Sequence, residues 1–402
     1  MFKRVISLAL LASMTTAYAD APAGRKAPPP KPAAPFAAKL DGELAKQKGN
    51  LLYSPASISI ALAMTGEGAR GDTATAMNRV LGGDPAKTAK DLTTSFKTPK
   101  QEPNRPTVPE LAIANRLFGD KTTVFEKPFL DVTSTEYRAP VETVDFRKAP
   151  DASRTHINDW VAKQTRDRIK NLIPSQAVDS ATRMILVNAI YMKASWATTF
   201  EKPLTKPAPF AIDGAKSKKV DTMHMTGGAS WGAHSGARTV DLPYYSAGGP
   251  QLGMLVIVPD GKSLADVEAA YAAEGLQPFL AATSNRGLAA VALPKFEVGT
   301  SFELSDPLTK MGMGLAFSDR ADFSGMSKVA THISAVVHKA WAKVDENGTE
   351  AAAATAVVMG ESAVMSRPTP HAFDVDRSFL FFIHDDRGNV LFGGRIVDPS
   401  VR

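Results

Sequence analysis

Helical patterns in the first half and strand patterns in the second predict a single α+β domain. Three observations carry that prediction. Apolar residues recur at helical spacing early in the chain, short apolar and alternating runs dominate after residue 180, and no interior linker divides the 402 residues. A composition of 44% hydrophobic and 22% charged residues is ordinary for a globular chain with a sizeable core.

Before the domain come two segments of different character. Lys3 and Arg4 precede an apolar stretch over 5–14, and Ala17-Tyr18-Ala19 precedes Asp20. That order predicts a secretory signal over 1–19, cleaved after Ala19 and too short to span a bilayer. Residues 20–35 follow, rich in proline and alanine, and read as an extended tether. The domain is expected over 36–402. The chain has no cysteine, so export without disulfides suggests a secreted or periplasmic bacterial protein over a disulfide-rich animal one. Losing Lys3 and Arg4 takes the formal charge from +6 to +4. With no basic helix, that excess gives no case for nucleic acid, and no later run is apolar enough to span a membrane.

Within the domain a first helix is expected at 40–47. A second spans 56–66, with Pro55 at its start, and Gly68, Gly71 and Asp72 restart a third over 74–81. The polar stretch 97–105 precedes a strand at 110–117. Residues 151–169 place Ile157, Trp160, Val161 and Ile169 on one helical face. The apolar run 182–192 predicts a strand central in a sheet. Further strands are expected at 240–243, 253–259 and 288–298, with short helices at 264–273 and 305–311. Strands 378–384 and 390–397 are joined by a hairpin turn over 385–389.

Residues 345–367 stand out. A strand-like run over 333–344 leads into Asp345-Glu346-Asn347-Gly348-Thr349-Glu350, then Ala351, Ala352, Ala353 and Ala354, with no proline before Pro368. Alanine favours helix, yet period-2 counting gives a face of Thr349, Ala351, Ala353, Thr355 and Val357, all small or β-branched. Such a segment suits a loop in one state and a buried strand in another.

Catalytic motifs fare poorly. Gly228-Ala229-Ser230-Trp231-Gly232 matches G-x-S-x-G, but no helix pattern follows it, so it reads as a turn between strands. Seven histidines are scattered; His224 and His234 are the nearest to a metal pair and lack an acidic companion. His338 reads as a hydrogen-bonded core histidine. Asn347-Gly348-Thr349 is a glycosylation sequon that a mobile strand could not tolerate, and it is set aside. No metal or cofactor is expected.

The chain resembles a serpin from about Phe36 to Val401. The resemblance rests on Asn50-Leu51-Leu52-Tyr53-Ser54-Pro55 with the helix after it, and on Leu186-Val187-Asn188-Ala189-Ile190-Tyr191 with Trp196. It also rests on Leu293-Pro294-Lys295-Phe296, Ala321-Asp322-Phe323-Ser324-Gly325-Met326, His338-Lys339-Ala340 and Phe373-Asp374-Val375-Asp376-Arg377-Ser378-Phe379. The resemblance implies a five-stranded main sheet, three β-sheets in all, about nine helices, and an exposed reactive loop over 346–367. It implies a suicide-substrate inhibitor: a serine protease attacks the loop, and the cut loop inserts as a new strand while the protease is held as an acyl-enzyme. Loop insertion in serpins is an established instance of strand addition and strain release.

By the same resemblance, Glu346, Gly348, Thr349, Glu350 and Ala351 to Ala354 form the loop hinge. Ser54, Ser57, Asn188 and His338 form a polar shutter beneath the sheet's opening, and Trp196 marks the breach where the loop enters. Counting from Glu346 puts the scissile bond at Ser362–Ala363, or one residue earlier at Glu361–Ser362. Counting back from Phe379 puts it between Val364 and Arg367. Ser362 suits an elastase- or subtilisin-like protease and Met365 a chymotrypsin-like one, whereas Pro368 argues against cleavage after Arg367. Papain-like cysteine proteases are a second partner class, and a monomer is expected. The alternatives are a non-inhibitory serpin acting as a binding or chaperone-like module, and an exported serine hydrolase using Ser230.

Overall fold

The computed structural model describes residues 35–95, 109–212, 216–246, 251–349 and 369–401. The signal and most of the tether therefore lie outside the described residues, as does the polar stretch 97–105. The elements run α1 (Phe36–Leu44), β1 (Leu51–Tyr53), α2 (Pro55–Gly66), α3 (Gly71–Leu81), α4 (Pro85–Ser95), β2 (Glu110–Asp120), α5 (Lys127–Thr135), β3 (Glu142–Val144), α6 (Pro150–Gln164) and β4 (Met184–Ser195). After these come β5 (Lys206–Ile212), β6 (Lys216–His234), β7 (Ala237–Pro243), β8 (Leu252–Pro259), α7 (Leu264–Glu274), α8 (Gln277–Ala282), β9 (Asn285–Pro294), β10 (Phe296–Glu303) and α9 (Ser305–Leu308). The chain closes with β11 (Ala335–Asp345), β12 (Gly348–Thr349), β13 (His371–Asp374), β14 (Phe379–Asp385) and β15 (Val390–Ile396).

Two hydrogen-bonded sheets organise these strands. The first has the order β10-β11-β12-β4-β2-β3, which is five longer strands with the two-residue β12 wedged inside. The second runs β1-β15-β14-β8-β7-β6-β9-β13, with β5 beside β6. Three sheets were expected; two of them form one continuous path because β6 extends through both. The expected nine helices match α1 to α9 among the described residues.

β4 is buried on both faces, which explains its unbroken apolar run. Leu186, Ile190, Met192 and Ala194 face the main core shared with the second sheet. Ile185, Val187 and Ala189 face a separate cluster with Phe118, Ile157 and Val161, beneath α6. α2 is apolar around nearly its whole surface and sits inside the main core. Its N-cap is Ser54, whose hydroxyl accepts from the Ser57 N–H at 3.2 Å.

Several boundaries differ from expectation, each for a local reason. α1 begins at Phe36, because Phe36, Leu40 and Leu44 at i, i+4 and i+8 all enter the core. The helix expected over 151–169 stops at Gln164, since Arg166 and Asp167 take positive φ of 52° and 62°. The single strand read over 288–298 is two. β9 ends at Pro294 in the second sheet, and β10 starts at Phe296 in the first, with Lys295 as the crossover. The helix expected over 305–311 keeps four α-helical residues before a π turn broken at Gly312, φ 111°.

Candidate functional site

The first sheet opens at one end. β4 and β11 pair in parallel from Ala335↔Ile185 to Trp341↔Tyr191 and then separate. β12 occupies the opening, with Thr349 level with Val344 and Ala194, and Gly348 level with Asp345 and Ser195. Only glycine fits at 348, since a Cβ there would stand 2.0 Å from the Ala194 carbonyl oxygen. Thr349 is fully buried, and its hydroxyl lies 2.7 Å from the Tyr244 hydroxyl. The Tyr244 ring stacks on Trp196 at 4.6 Å and 10°. Trp196 in turn donates its indole N–H to the Asp345 carbonyl and its backbone N–H to the Asn347 carbonyl, each at 3.0 Å.

Beside this seat, the Glu346 carboxylate accepts from Lys295 Nζ at 2.9 Å and from Thr205 Oγ1 at 2.8 Å. Burial pushes the Glu346 carboxyl up, but these hydrogen bonds outweigh it and hold it below the ordinary glutamate value. The turn from β11 into β12 is thereby tied to β4, to the crossover Lys295 and to the segment after Trp196.

Further down the same seam lies a buried polar cluster. His338 on β11 is level with Asn188 on β4, and Asn188 is level with Asn115 on β2. His338 Nε2 accepts from the Ser54 N–H at 3.1 Å, so the proton is on Nδ1, which donates to Asn188 Oδ1. Asn188 Nδ2 donates to Ser57 Oγ at 2.5 Å and also to Asn115 Oδ1. Ser54 Oγ donates to the Leu391 carbonyl at 2.5 Å. Burial pushes His338 down to about 3, so the ring is neutral and both nitrogens are committed. No serine hydroxyl addresses it, and the cluster has the chemistry of a clasp between strands, not of a nucleophile and base.

A family model described as Serpin (serine protease inhibitor) matches residues 32–399. The chain belongs to the serpin family.

Among curated relatives of this serpin, leukocyte elastase inhibitor of Sus scrofa is 39% identical over 363 residues, covering 87% of this chain and 93% of the pig protein. Serpin B3 of Homo sapiens is 37% identical, covering 88% of this chain and 94% of the human one. Among solved structures, uncleaved ovalbumin superposes with a TM-score of 0.79 at 29% identity, covering 91% of this chain and 98% of the other. Serpin48 of Tenebrio molitor gives 0.78 at 29% identity, covering 90% and 96%. These relatives are animal proteins, and none supports the bacterial origin that the cysteine-free sequence suggested.

The residues read from the serpin sequence fall into three groups. Ser54, Ser57, Asn188 and His338 come together in one cluster, and Trp196, Glu346, Gly348 and Thr349 come together at the sheet opening. Glu350, Ala351, Ala352, Ala353 and Ala354 lie outside the described residues, as do the cleavage candidates Glu361, Ser362, Ala363, Val364, Met365 and Arg367. Sequence reasoning missed Asn115, Tyr244 and Lys295 as members of these groups. Asn115 carried a faint signal as a polar residue inside an apolar strand; Tyr244 carried none.

The G-x-S-x-G expectation needs correction. Ser230 is not in a turn but mid-strand in β6, level with Asp241 on β7 and Arg286 on β9. A nucleophile elbow needs a strand-to-helix turn, so a serine hydrolase is ruled out at that position. Gly232 is there for packing: a Cβ would stand 1.8 Å from the Ala282 carbonyl oxygen of α8. His224 and His234 are ten residues apart on the same strand, about 33 Å at a strand's rise, and cannot share a metal. His234 instead meets Glu274 at 2.7 Å. The sequon threonine is Thr349, whose hydroxyl is buried against Tyr244.

Proposed function

We propose that this serpin is a suicide-substrate inhibitor of serine proteases that acts outside the cytoplasm. The observation that carries the reading is the place of Gly348 and Thr349, already paired between β11 and β4 at the mouth of the seam that an inserting strand would follow. The loop that follows leaves from the first sheet and returns at β13, on the edge of the second. Cutting it frees the hinge end to continue into the seam while an acyl-linked protease travels with it.

In this reading Glu346, Gly348, Thr349, Glu350 and Ala351 to Ala354 are the hinge. Ser54, Ser57, Asn188 and His338, joined by Asn115, are the shutter, and Trp196 with Tyr244 forms the breach. Ser362–Ala363 is the bond offered first. Ser362 and the names of the leukocyte elastase inhibitors both support a target with a small specificity pocket. Export rests on the basic, apolar and small-residue order of residues 1–19.

The test mixes the protein with elastase, subtilisin, chymotrypsin and trypsin, followed by denaturing gels and mass mapping of the released C-terminal peptide. An SDS-stable complex with elastase or subtilisin and a peptide starting at Ala363 is expected. Clean cleavage with no complex for any of the four would overturn trapping and leave a binding or chaperone-like serpin.

A further inference from the structure

β7 ends at the breach, and one buried pair fastens that end. Asp241 lies three residues before Tyr244, and the backbone around Tyr244 is bound to the segment around Trp196. The Tyr245 N–H donates to the Ser195 carbonyl at 2.8 Å and the Ala197 N–H to the Pro243 carbonyl at 3.0 Å. The Tyr244 N–H donates to the Leu252 carbonyl of β8 at 2.9 Å. What holds the end of β7 therefore also holds the Tyr244 ring on Trp196 and its hydroxyl against Thr349.

Asp241 reaches across β8 to His384 of β14. Its Oδ1 lies 3.0 Å from His384 Nε2, and His384 Nδ1 lies 2.9 Å from the Asp385 carbonyl oxygen. A carboxylate and a carbonyl only accept, so the ring satisfies both by carrying a proton on each nitrogen, as an imidazolium. The strand between makes room with Gly253, where a Cβ would stand 2.6 Å from Asp241 Oδ1 and 2.9 Å from His384 Nε2. Burial of the ring pushes its pKa down, but Asp241 and Asp385 outweigh that and hold it above the ordinary 6.5.

Other neighbours of the ring are neutral or already engaged. β8 and β15 bring Gly253 and Val390 level with it, and α8 carries no titratable residue. On α7, Asp266 is bound to Ser263, Glu268 to Arg395 and Glu274 to His234. The Asp385 carboxylate accepts from the Arg387 and Asn389 N–H groups, while Asp386 and Arg387 are exposed in the turn. On the far side of Asp241, Ser230 and then Arg286 share its rung.

We propose that His384 and Asp241 are positioning residues that make the seat at the breach pH-dependent: the imidazolium pins the end of β7 across Gly253, and its deprotonation releases that end. The pair's contribution is full below 6.5 and is lost as pH rises through the higher folded value. The seat of Tyr244 is thus tight in mildly acid medium and loosens on the alkaline side. The device works within the intact molecule, whatever protease the loop meets.

The test follows hydrogen exchange of the Trp196, Ala197, Tyr244 and Tyr245 amides, corrected for intrinsic rate, in wild type, His384→Gln and His384→Arg. Between about pH 6 and pH 9, protection in wild type should fall about tenfold, the loss of one charged hydrogen bond. Protection should be low and level in His384→Gln, and high and level in His384→Arg, whose charge is permanent. Asp41 and His338 are present in all three proteins, so their titration cancels from the comparison. Parallel profiles in wild type and His384→Gln overturn the proposal. A fall confined to β8 and β14, with level protection at the four amides, overturns the link to the breach. Should a variant fail to fold, the wild-type ring signals of isotope-labelled histidine decide alone. One of the seven histidines must titrate above 6.5 in step with the four amides, and if none does the proposal falls.

Discussion

Asp41 is a buried carboxylate on α1 whose neighbours come from three other elements. It accepts from the Tyr53 hydroxyl of β1 at 2.8 Å, and it feels Glu268 of α7 and Arg395 of β15. Burial pushes it up to about 7, against the help of Tyr53 and Arg395. The folded state thus holds the proton more tightly than the unfolded chain at 3.8, so stability is fullest below pH 3.8 and falls as pH rises to about 7. Asp41→Asn keeps an acceptor for Tyr53 without the charge. It should stabilise the protein at pH 8 by on the order of 2–4 kcal/mol, and change little at pH 4, as read by denaturant unfolding at both values. A destabilised variant at pH 8 would contradict this. His338 runs the other way. Its folded value of about 3 lies below the unfolded 6.5, so its contribution is full above 6.5 and is lost as pH falls towards 3. His338→Ala orphans the Ser54 N–H and Asn188 Oδ1, at about 1–3 kcal/mol each, and should flatten the acid limb of the stability profile. An unchanged acid limb would show that His338 is not the titrating group. The two sites differ in legibility. His338 stood in a recognisable motif, whereas Asp41, Tyr53, Glu268 and Arg395 are joined only by the fold, and a lone Asp on an amphipathic helix reads as solvent-facing.

At the scale of elements, the strands were legible where burial was two-sided. β4, β8 and the β14–β15 hairpin each show as an apolar run closed by turn residues. α4 and α5 were not, because each presents few apolar residues: Ala89 and Leu92 on one, Phe129 and Val132 on the other. β9 and β10 merged in the sequence because Lys295 interrupts them by a single residue, and a change of sheet leaves no compositional mark. β12 was half legible. The small, β-branched face of Thr349, Ala351 and Ala353 announced a strand able to be buried, but not that the sheet already holds its first two residues. That placement sharpens one prediction. Thr349→Arg would put a guanidinium into the space that Tyr244, Val344 and Ala194 close, at about 3–5 kcal/mol for an unpaired buried charge. The β12 seat should be lost and a trapping inhibitor should become a substrate, cleaved at the wild-type rate with no SDS-stable complex. Trapping at wild-type efficiency would show that Thr349 need not be buried.

At the scale of the whole molecule, the first sheet carries, among the described residues, only the two-residue β12 between β11 and β4. β4 and β11 meet in parallel over seven residue pairs, Ala335↔Ile185 to Trp341↔Tyr191, and a parallel ladder is slightly weaker per residue than an antiparallel one. A strand continuing from β12 would be antiparallel to both, replacing one weaker ladder with two stronger ones. Thr349, Ala351, Ala353, Thr355 and Val357 would face the main core, where small side chains are what the filled side of β4 can accept. The polar cluster would be parted and re-formed around a threonine hydroxyl, so its desolvation would not be left uncompensated. The exchange requires β4, with β2 and β3 beyond it, to move one strand spacing, roughly 4.8 Å, away from β11. Cutting an exposed loop ordinarily leaves a protein equally stable or less so. Here a single cut within 355–367 should raise the melting midpoint, and a net gain of about 5 kcal/mol would move it by about 6 °C in a chain of this length. Calorimetry before and after limited proteolysis reads the sign directly. A midpoint that stays level or falls would mean that the cut loop remains outside the sheet, and that β12 is the end of the strand, not its beginning.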